Sequence, residues 1–278
     1  MIVTRFDRFV LRALSLILAV GVVATARSTE ATWPMFQSDA QHTGRSPAVG
    51  PLLNNLQWQF QLSGTPGSPA VGVDDVVFLP TGMVGIDAQS FLYAINRDGT
   101  QKWRVLLVGP PGSTAPAVAA DGTIYVHTNG TGSPVAVEAI QAFNPADGSS
   151  KWLKTFNNGS PVSTSFVQSA PTVGPDGTVY VGSQDGKLYA LNPADGSTKW
   201  SRATFNTISS SPALSPDGAT VYLHDHSGLI AFKASDGGDR WTFPITVNGG
   251  TGGPSVAADG TIYFVHVNNG TLYAVNAD

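Results

Sequence analysis

The residues of this chain whose types and spacing could do chemistry begin with a His-Asp-His triplet. His224, Asp225 and His226 place two imidazoles and a carboxylate in consecutive positions. Such groups are ligands of zinc and other transition metals. In an extended strand His224 and His226 would point to the same side. The competing interpretation, which we favour, is that they are solvated ends of loops. We therefore predict no metal site and keep these three residues as its weak candidates.

Recurring Asp-Gly pairs offer a second chemistry, because carboxylates are calcium ligands. Calcium takes about six to eight oxygen ligands, and a lone Asp-Gly supplies few of them. Between alternating apolar and polar runs, Asp-Gly is a strong hairpin signal because glycine adopts positive φ. We therefore assign these pairs to turns. They fall in two sets, Asp98-Gly99, Asp147-Gly148, Asp195-Gly196, Asp236-Gly237 and Asp121-Gly122, Asp176-Gly177, Asp217-Gly218, Asp259-Gly260.

Signatures of catalysis are missing from the sequence. It contains no GxSxG, HExxH, phosphate-loop or paired-carboxylate motif. It also contains no cysteine, which excludes disulfides, a cysteine-type zinc site and a lipid-modified N-terminal cysteine. We predict no catalytic residue and no cofactor, and we expect a protein that is not an enzyme.

The first residues have the pattern of an export signal. Arg5, Arg8 and Arg12 form a positive region, residues 13–23 are apolar, and residues 24–26 form a small-x-small cleavage site. An uncleaved anchor is the alternative. We predict a signal peptide over residues 1–26 and an extracytoplasmic location, periplasmic or secreted, with no later transmembrane segment.

Composition and charge narrow the class of protein further. Charged residues make up 12 % of the chain, which holds 31 Gly and 19 Pro. This profile favours short strands joined by tight turns over long helices. Loss of the signal peptide removes three Arg and one Asp, which changes the formal net charge from -4 to -6. An acidic chain without a basic run argues against nucleic acid as a partner.

A repeat of four strands positions all of these residues. One clear unit predicts strand A at 170–173, strand B at 178–182, strand C at 187–192 and strand D at Lys199-Trp200. Four-stranded units that recur every 40 to 50 residues are typical of β-propeller blades. We expect the repeated tryptophan to pack between neighbouring blades. It occurs at Trp58, Trp103, Trp152, Trp200 and Trp241.

The two ends of the repeat complement each other. Residues 56–60 read as a strand D without A, B or C, and residues 253–278 read as A, B and C without D. We predict an all-β propeller of about five blades, closed by pairing of Trp58 with the strand near Leu272–Val275. The alternative is a fragment of a seven- or eight-bladed propeller. The domains are then a lead-in at 27–55 and the propeller at 56–278.

These units resemble the pyrroloquinoline-quinone (PQQ)-like propeller repeat. The resemblance lies in DGTVYVGSQDGKLYALNPADGSTKW from Asp176, echoed by DGTIYVHTNG and IQAFNPADGSSKW. Residues 33–45 also resemble the lead-in of exported proteins of this group. The family includes quinoprotein dehydrogenases and the eight-bladed subunit of the outer-membrane-protein assembly machine. The dehydrogenases are about twice as long, and their vicinal cysteines have no counterpart here. The resemblance leaves PQQ or calcium as an alternative cofactor.

Length variation predicts where a partner would bind. The A–B and C–D turns share one face, and the B–C and D–A loops share the other, which we call the variable face. His127, His224, His226 and His266 should lie toward the variable face. We predict an exported monomer that binds or scaffolds a protein or polysaccharide through this face. The alternatives are a PQQ- or metal-dependent oxidoreductase and a sensor or accessory domain of a longer protein.

Overall fold

The computed structural model describes ten stretches of the chain, and its architecture is all-β. One short 3-10 turn, Val73–Asp75, interrupts the strands. Within the described stretches, no helix is long and apolar enough to cross a bilayer. The signal-peptide region and His226 lie outside the described residues. The described stretches are 34–45, 55–82, 89–111, 114–129, 138–156, 169–204, 208–225, 227–245, 252–266 and 270–277.

Within the described stretches, twenty strands form five antiparallel sheets, which are the blades predicted from the repeat. Blade 1 holds β1 (Thr65–Pro66), β2 (Ala70–Val71), β3 (Val77–Gly82), β4 (Phe91–Ile95) and β5 (Gln101–Leu106). Blade 2 holds β6 (Ala117–Val118), β7 (Ile124–Thr128), β8 (Glu138–Phe143) and β9 (Ser150–Phe156). Blade 3 holds β10 (Thr172–Val173), β11 (Val179–Gly182), β12 (Lys187–Leu191) and β13 (Thr198–Ala203).

The last two blades follow the same order. Blade 4 holds β14 (Ala213–Leu214), β15 (Thr220–Asp225), β16 (Gly228–Lys233) and β17 (Asp239–Pro244). Blade 5 holds β18 (Ser255–Val256), β19 (Ile262–His266) and β20 (Thr271–Val275). In blades 2 to 5 the strands pair in chain order, as expected of a β-propeller.

The C and D strands of blades 1 to 4 share one register. In each pair the tryptophan of strand D lies opposite an alanine of strand C, and a β-bulge follows at the next position. The bulge increases the local twist of the outer strand. The opposed pairs are Ala94 and Trp103, Ala142 and Trp152, Ala190 and Trp200, and Ala231 and Trp241.

Each of these tryptophans also crosses to the next blade. The Trp152 indole N–H donates to the Pro193 carbonyl at 2.8 Å, in the C–D turn of blade 3. The ring lies on Gly196 of that turn, where an added Cβ would be 2.5 Å from it. Gly196 also has φ +71°, so both conformation and space require glycine here. Four apolar cores, one between each pair of successive blades, complete these junctions.

Residues 34–45, which we call the hub segment, hold the inner strands together. The Val118 N–H of blade 2 donates to Pro34, the Leu214 N–H of blade 4 to Ala40, and the Val256 N–H of blade 5 to Gln41. These bonds satisfy the backbone of inner strands that have no further strand beside them. The hub segment therefore lies along the axis and connects blades that are not neighbours.

Blade 5 departs from the predicted closure. Its sheet has three strands, and β20 pairs with β19 alone among the described residues. Trp58 lies against blade 1, where its indole N–H donates to the Arg97 carbonyl at 2.8 Å. Residues 55–62 belong to no strand, and Leu272 of β20 is 66 % exposed. The five blades consequently form an open arc, and the expected pairing of Trp58 near Leu272–Val275 is wrong.

Candidate functional site

On the variable face, a buried histidine–carboxylate pair joins blades 2 and 3. His127 and Glu138 have no exposed side-chain surface, and His127 Nε2 lies 2.9 Å from Glu138 Oε1. His127 Nδ1 donates to the Ser169 carbonyl at 2.8 Å, because that oxygen can only accept. One proton therefore lies between Nε2 and the carboxyl group.

Further donors from blade 3 saturate Glu138. The Ser183 hydroxyl donates to Oε2 at 2.8 Å, and the Gln184 N–H approaches both oxygens at 3.1 and 3.2 Å. A buried carboxylate with this many donors is stabilised in place and has little capacity left for a substrate. We interpret the group as a structural lock between two blades. Glu138 was missed from the sequence, where its only signal is a charge at the start of an otherwise apolar strand.

The weak metal candidates occupy different surroundings. His224 and Asp225 are both buried at the end of β15. His224 lies beside His266 of blade 5, with 5.9 Å between the ring centroids, and on Phe264. The expectation that His224 and Asp225 are solvated ends of loops is wrong, because both are buried at the junction of blades 4 and 5. The Asp225 carboxylate accepts the Ser227 N–H at 2.7 Å.

These groups do not assemble into a metal site in the described stretches. No three His, Cys, Asp or Glu side chains there are arranged to hold a metal ion. His127 belongs to the junction of blades 2 and 3, whereas His224 and His266 belong to that of blades 4 and 5. His226 lies outside the described residues.

The Asp-Gly turns use their carboxylates locally. The Ser197 hydroxyl and N–H both donate to Asp195, at 2.7 and 2.9 Å. These two hydrogen bonds hold the pKa of Asp195 below its usual value, and the hydroxyl has the larger effect. In the other turns, too, the backbone N–H two residues after the aspartate donates to its carboxylate. These aspartates are Asp98, Asp121, Asp147, Asp176, Asp217, Asp236 and Asp259. Turn chemistry accounts for these aspartates.

An axial cavity opens on the opposite face, among the A–B turns. Its volume is about 510 Å³, within the range of ligand pockets. The hub segment closes its inner end, and turns from blades 1 to 4 form its sides. The lining contains no ionisable side chain and is largely apolar. It consists of Pro34, Met35, Ala40, Gln41, Gly72, Val73, Val118, Ala119, Ala120, Val173, Gly174, Pro175, Pro216 and Gly218.

His42 fixes the other end of the hub segment. Its Nδ1 donates to the Pro254 carbonyl at 3.0 Å, and its Nε2 lies 3.3 Å from the Thr172 hydroxyl. Burial lowers the pKa of His42 to about 4, and the Pro254 carbonyl and Asp39 oppose that effect only in part. His42 is therefore neutral at physiological pH and acts as a structural pin.

The described residues do not fit a quinone cofactor. A quinone enzyme needs a pocket that encloses the flat rings, a cation beside the reactive carbonyl and a base for the substrate proton. The axial cavity has no carboxylate or imidazole in its lining. The buried carboxylate of Glu138 is saturated, and the Asp-Gly carboxylates bond their own turns. No catalytic step can be derived from these groups.

Comparison with solved structures finds propellers of greater length. BamB from Moraxella catarrhalis matches with a TM-score of 0.57 and 19 % identity, over 79 % of this chain and 67 % of that one. Quinohemoprotein alcohol dehydrogenase from Comamonas testosteroni matches with a TM-score of 0.64 and 16 % identity, over 88 % of this chain and 47 % of that one. A europium-containing methanol dehydrogenase matches with a TM-score of 0.64 and 15 % identity, over 88 % and 56 %. This chain thus spans about half to two thirds of their lengths.

Sequence comparison gives one assignment. No curated protein matches the chain. The model of the family described as outer membrane protein assembly factor BamB matches residues 47–278, which include every blade. The resemblance to PQQ-like repeats is therefore confirmed, and the chain belongs to this BamB family of β-propeller proteins.

Proposed function

We propose that this chain is an exported, non-enzymatic binding propeller that engages a protein partner outside the cytoplasm. The observation that carries the proposal is the axial cavity, a preformed apolar recess on a rigid scaffold. Family membership supports a partner-binding role, because the family is described by an assembly factor. The export pattern of residues 1–26 supports the location.

The chemistry of the cavity favours a protein over a polysaccharide. Its sides are proline, valine, alanine and glycine, and Val73 at its rim is 60 % exposed. An apolar side chain that enters would be stabilised, because its apolar surface is removed from water. The hydroxyls of a sugar would instead lose hydrogen bonds to water and find few replacements. An apolar anchor residue of a partner is the ligand that suits this recess.

The variable face is the second surface that we propose for binding. Its loops carry almost all of the length variation between repeats, and most of them lie outside the described residues. At its rim the Gln184 amide donates to the Asn129 side chain at 3.2 Å, next to the His127–Glu138 lock. A rigid base under variable loops is a common arrangement for recognition.

Site-specific photo-crosslinking tests the proposal in the native envelope. A photoreactive residue would replace Val73 at the cavity, Asn129 at the variable face or Leu153 on the outer strand of blade 2, which is 48 % exposed. We expect one discrete protein adduct from Val73 or Asn129 and none from Leu153. Added to the chain with the photoreactive residue at position 73 or 129, the matched pair Ala120→Asp in the cavity lining and Leu153→Asp on the outer strand should separate loss of that adduct from general effects of a new charge.

The outcomes distinguish the candidate surfaces and partners. An adduct from Val73 supports the cavity, and an adduct from Asn129 alone assigns the partner to the variable face. Equal labelling at all three positions, or saturable binding of purified protein to isolated envelope polysaccharide without any protein adduct, would overturn the proposal of a protein partner.

A further inference from the structure

The outer end of blade 5 lacks an aromatic neighbour that every other blade has. In blades 1 to 4, an aromatic residue of strand B packs on the tryptophan of strand D in the same blade. The ring centroids are 5.6 to 5.8 Å apart, for Phe78 and Trp103, Tyr125 and Trp152, Tyr180 and Trp200, and Tyr222 and Trp241.

Tyr263 is the equivalent residue of blade 5. Pairing of strands A and B sets Tyr263 opposite Ser255, just as Tyr180 lies opposite Thr172. Tyr180 and its equivalents in blades 2 and 4 are at most 2 % exposed, whereas Tyr263 is 42 % exposed. Val265 on the same side is 45 % exposed. This face is therefore built like a blade junction but is open to solvent.

Trp58, at the other end of the arc, is the kind of tryptophan that the open face of blade 5 lacks. It is placed against blade 1 as each D-strand tryptophan is placed against the blade that follows it. Its indole N–H reaches Arg97, and an added Cβ on Gly99 would lie 2.6 Å from its ring. In the described structure, however, residues 55–62 belong to no strand. Among the described residues, Trp58 thus packs on the blade that follows it and has no strands A to C paired beside it.

The register of the other blades matches these two ends residue by residue. Every D-strand tryptophan lies opposite an alanine, and in blade 5 that alanine is Ala274, which is exposed. The residue two positions after the tryptophan lies opposite the residue two positions before the alanine. For Trp58 and Ala274 this pair is Phe60 and Leu272, and Leu272 is 66 % exposed. The two bare edges are complementary in apolar character as well as in spacing.

We propose that β20 of one copy pairs with residues 56–60 of a second copy, head to tail. Within one copy, β20 pairs with β19 alone among the described residues, and residues 55–62 belong to no strand. Tyr263, Val265 and Leu272 all stay exposed in this arrangement, so the edge of blade 5 is open to a second copy.

This contact continues the blade series across the two copies. Residues 56–60 of the second copy become strand D of blade 5, Trp58 covers Tyr263, and blade 1 of the second copy covers Val265. Strand addition at a sheet edge supplies main-chain hydrogen bonds, and alternate side chains supply specificity. The two surfaces are different, so the contact is heterologous and can extend beyond two copies. The sequence predicts a monomer, but the two complementary edges favour self-association.

Cross-linking between single-cysteine variants tests the pairing directly, because the chain has no native cysteine. The register sets Gln61 opposite Thr271, and both are exposed. Gln61→Cys protein would be mixed with Thr271→Cys protein and treated with a short bismaleimide. We expect a covalent dimer from the mixture. Replacing Thr271→Cys by Ala194→Cys, on a distant C–D turn, should abolish it. Absence of the dimer would overturn the proposal. A purely intramolecular product in one chain that carries both Gln61→Cys and Thr271→Cys would overturn it as well.

A charge on the edge gives an independent measurement. We expect sedimentation of the full chain to show concentration-dependent association, which Leu272→Lys reduces and Leu153→Lys leaves unchanged. Both positions are exposed, so thermal unfolding at high dilution should be similar in the two variants. A strictly monomeric wild-type chain, or equal association in both variants, would contradict head-to-tail pairing.

Discussion

The repeat tryptophan contributes to three contacts at once. Trp200 lies opposite Ala190 in its own sheet and packs on Tyr180 of the same blade. Its indole N–H donates to Ala234 of blade 4 at 2.9 Å, and its ring lies on Gly237. A large apolar ring with one polar atom suits this position, because the N–H finds a partner where the rest is buried. One residue type therefore joins each blade to the next.

Truncation of Trp200 tests how much this position stabilises the fold. Trp200 is 9 % exposed, and Trp200→Ala would leave a cavity in the core between blades 3 and 4. We expect a loss of about 3–5 kcal/mol in the free energy of unfolding, measured by reversible denaturation. Trp200→Phe, which keeps a ring without the N–H, should lose less. A loss below about 1 kcal/mol for the alanine variant would show that this tryptophan is not core.

His42 gives the fold a pH dependence with a defined sign. The pKa of His42 is about 4 in the folded protein and 6.5 without burial, so the unfolded state binds the proton more tightly. Its contribution to stability is complete above pH 6.5 and falls as the pH decreases from 6.5 to about 4. The loss over this window is about 3 kcal/mol.

The control for that prediction is His42→Gln, which keeps a donor for the Pro254 carbonyl and does not titrate. Free energies of unfolding would be measured between pH 4 and pH 8 for both proteins. The difference between them should change with pH in this window. Parallel curves for the two proteins would show that His42 is not the titrating group.

At the scale of elements, alternation and turn chemistry predicted most of the strands. Apolar residues at period 2, bounded by Asp-Gly, are local signals, and blade 3 follows them closely. The hub contacts of residues 34–45 were not predictable, because they depend on the spatial order of distant inner strands. The approach of His224 to His266 was missed for the same reason. The open edge of β20 was missed because counting strands along the sequence does not show whether two strand edges meet in space.

The glycine of the C–D turn is required for two separate reasons, its positive φ and the tryptophan ring that packs on it. Gly177 of the A–B turn and Gly196 of the C–D turn both have positive φ, but an added Cβ would be 3.4 Å from Pro193 at the first and 2.5 Å from Trp152 at the second. Gly177→Ala should therefore cost about 1 kcal/mol for conformation alone. Gly196→Ala should cost about 2 kcal/mol more, because the Trp152 ring has to move. Chemical denaturation compares the two, and equal losses would show that the tryptophan contact contributes nothing.

At the scale of the whole molecule, the hub segment connects the blades of the open arc from the inside. It bonds blades 2, 4 and 5 and reaches Thr172 of blade 3, so the arc is held from its concave side. The same segment forms the inner wall of the axial cavity. Stability and the candidate binding recess therefore depend on one stretch of chain. This coupling connects the lead-in to the function that we propose.

The last prediction is that the purified protein has no intrinsic quinone-dependent redox activity. The hub segment lines the axial cavity, that lining has no carboxylate, and Glu138 is saturated by donors from blade 3. Incubation with PQQ and Ca²⁺ should give no saturable binding in a fluorescence titration. Dye-linked oxidation of alcohols or sugars should stay at the rate without protein. Micromolar quinone binding with calcium-dependent turnover, lost in His224→Ala and retained in His42→Gln, would instead favour the oxidoreductase alternative.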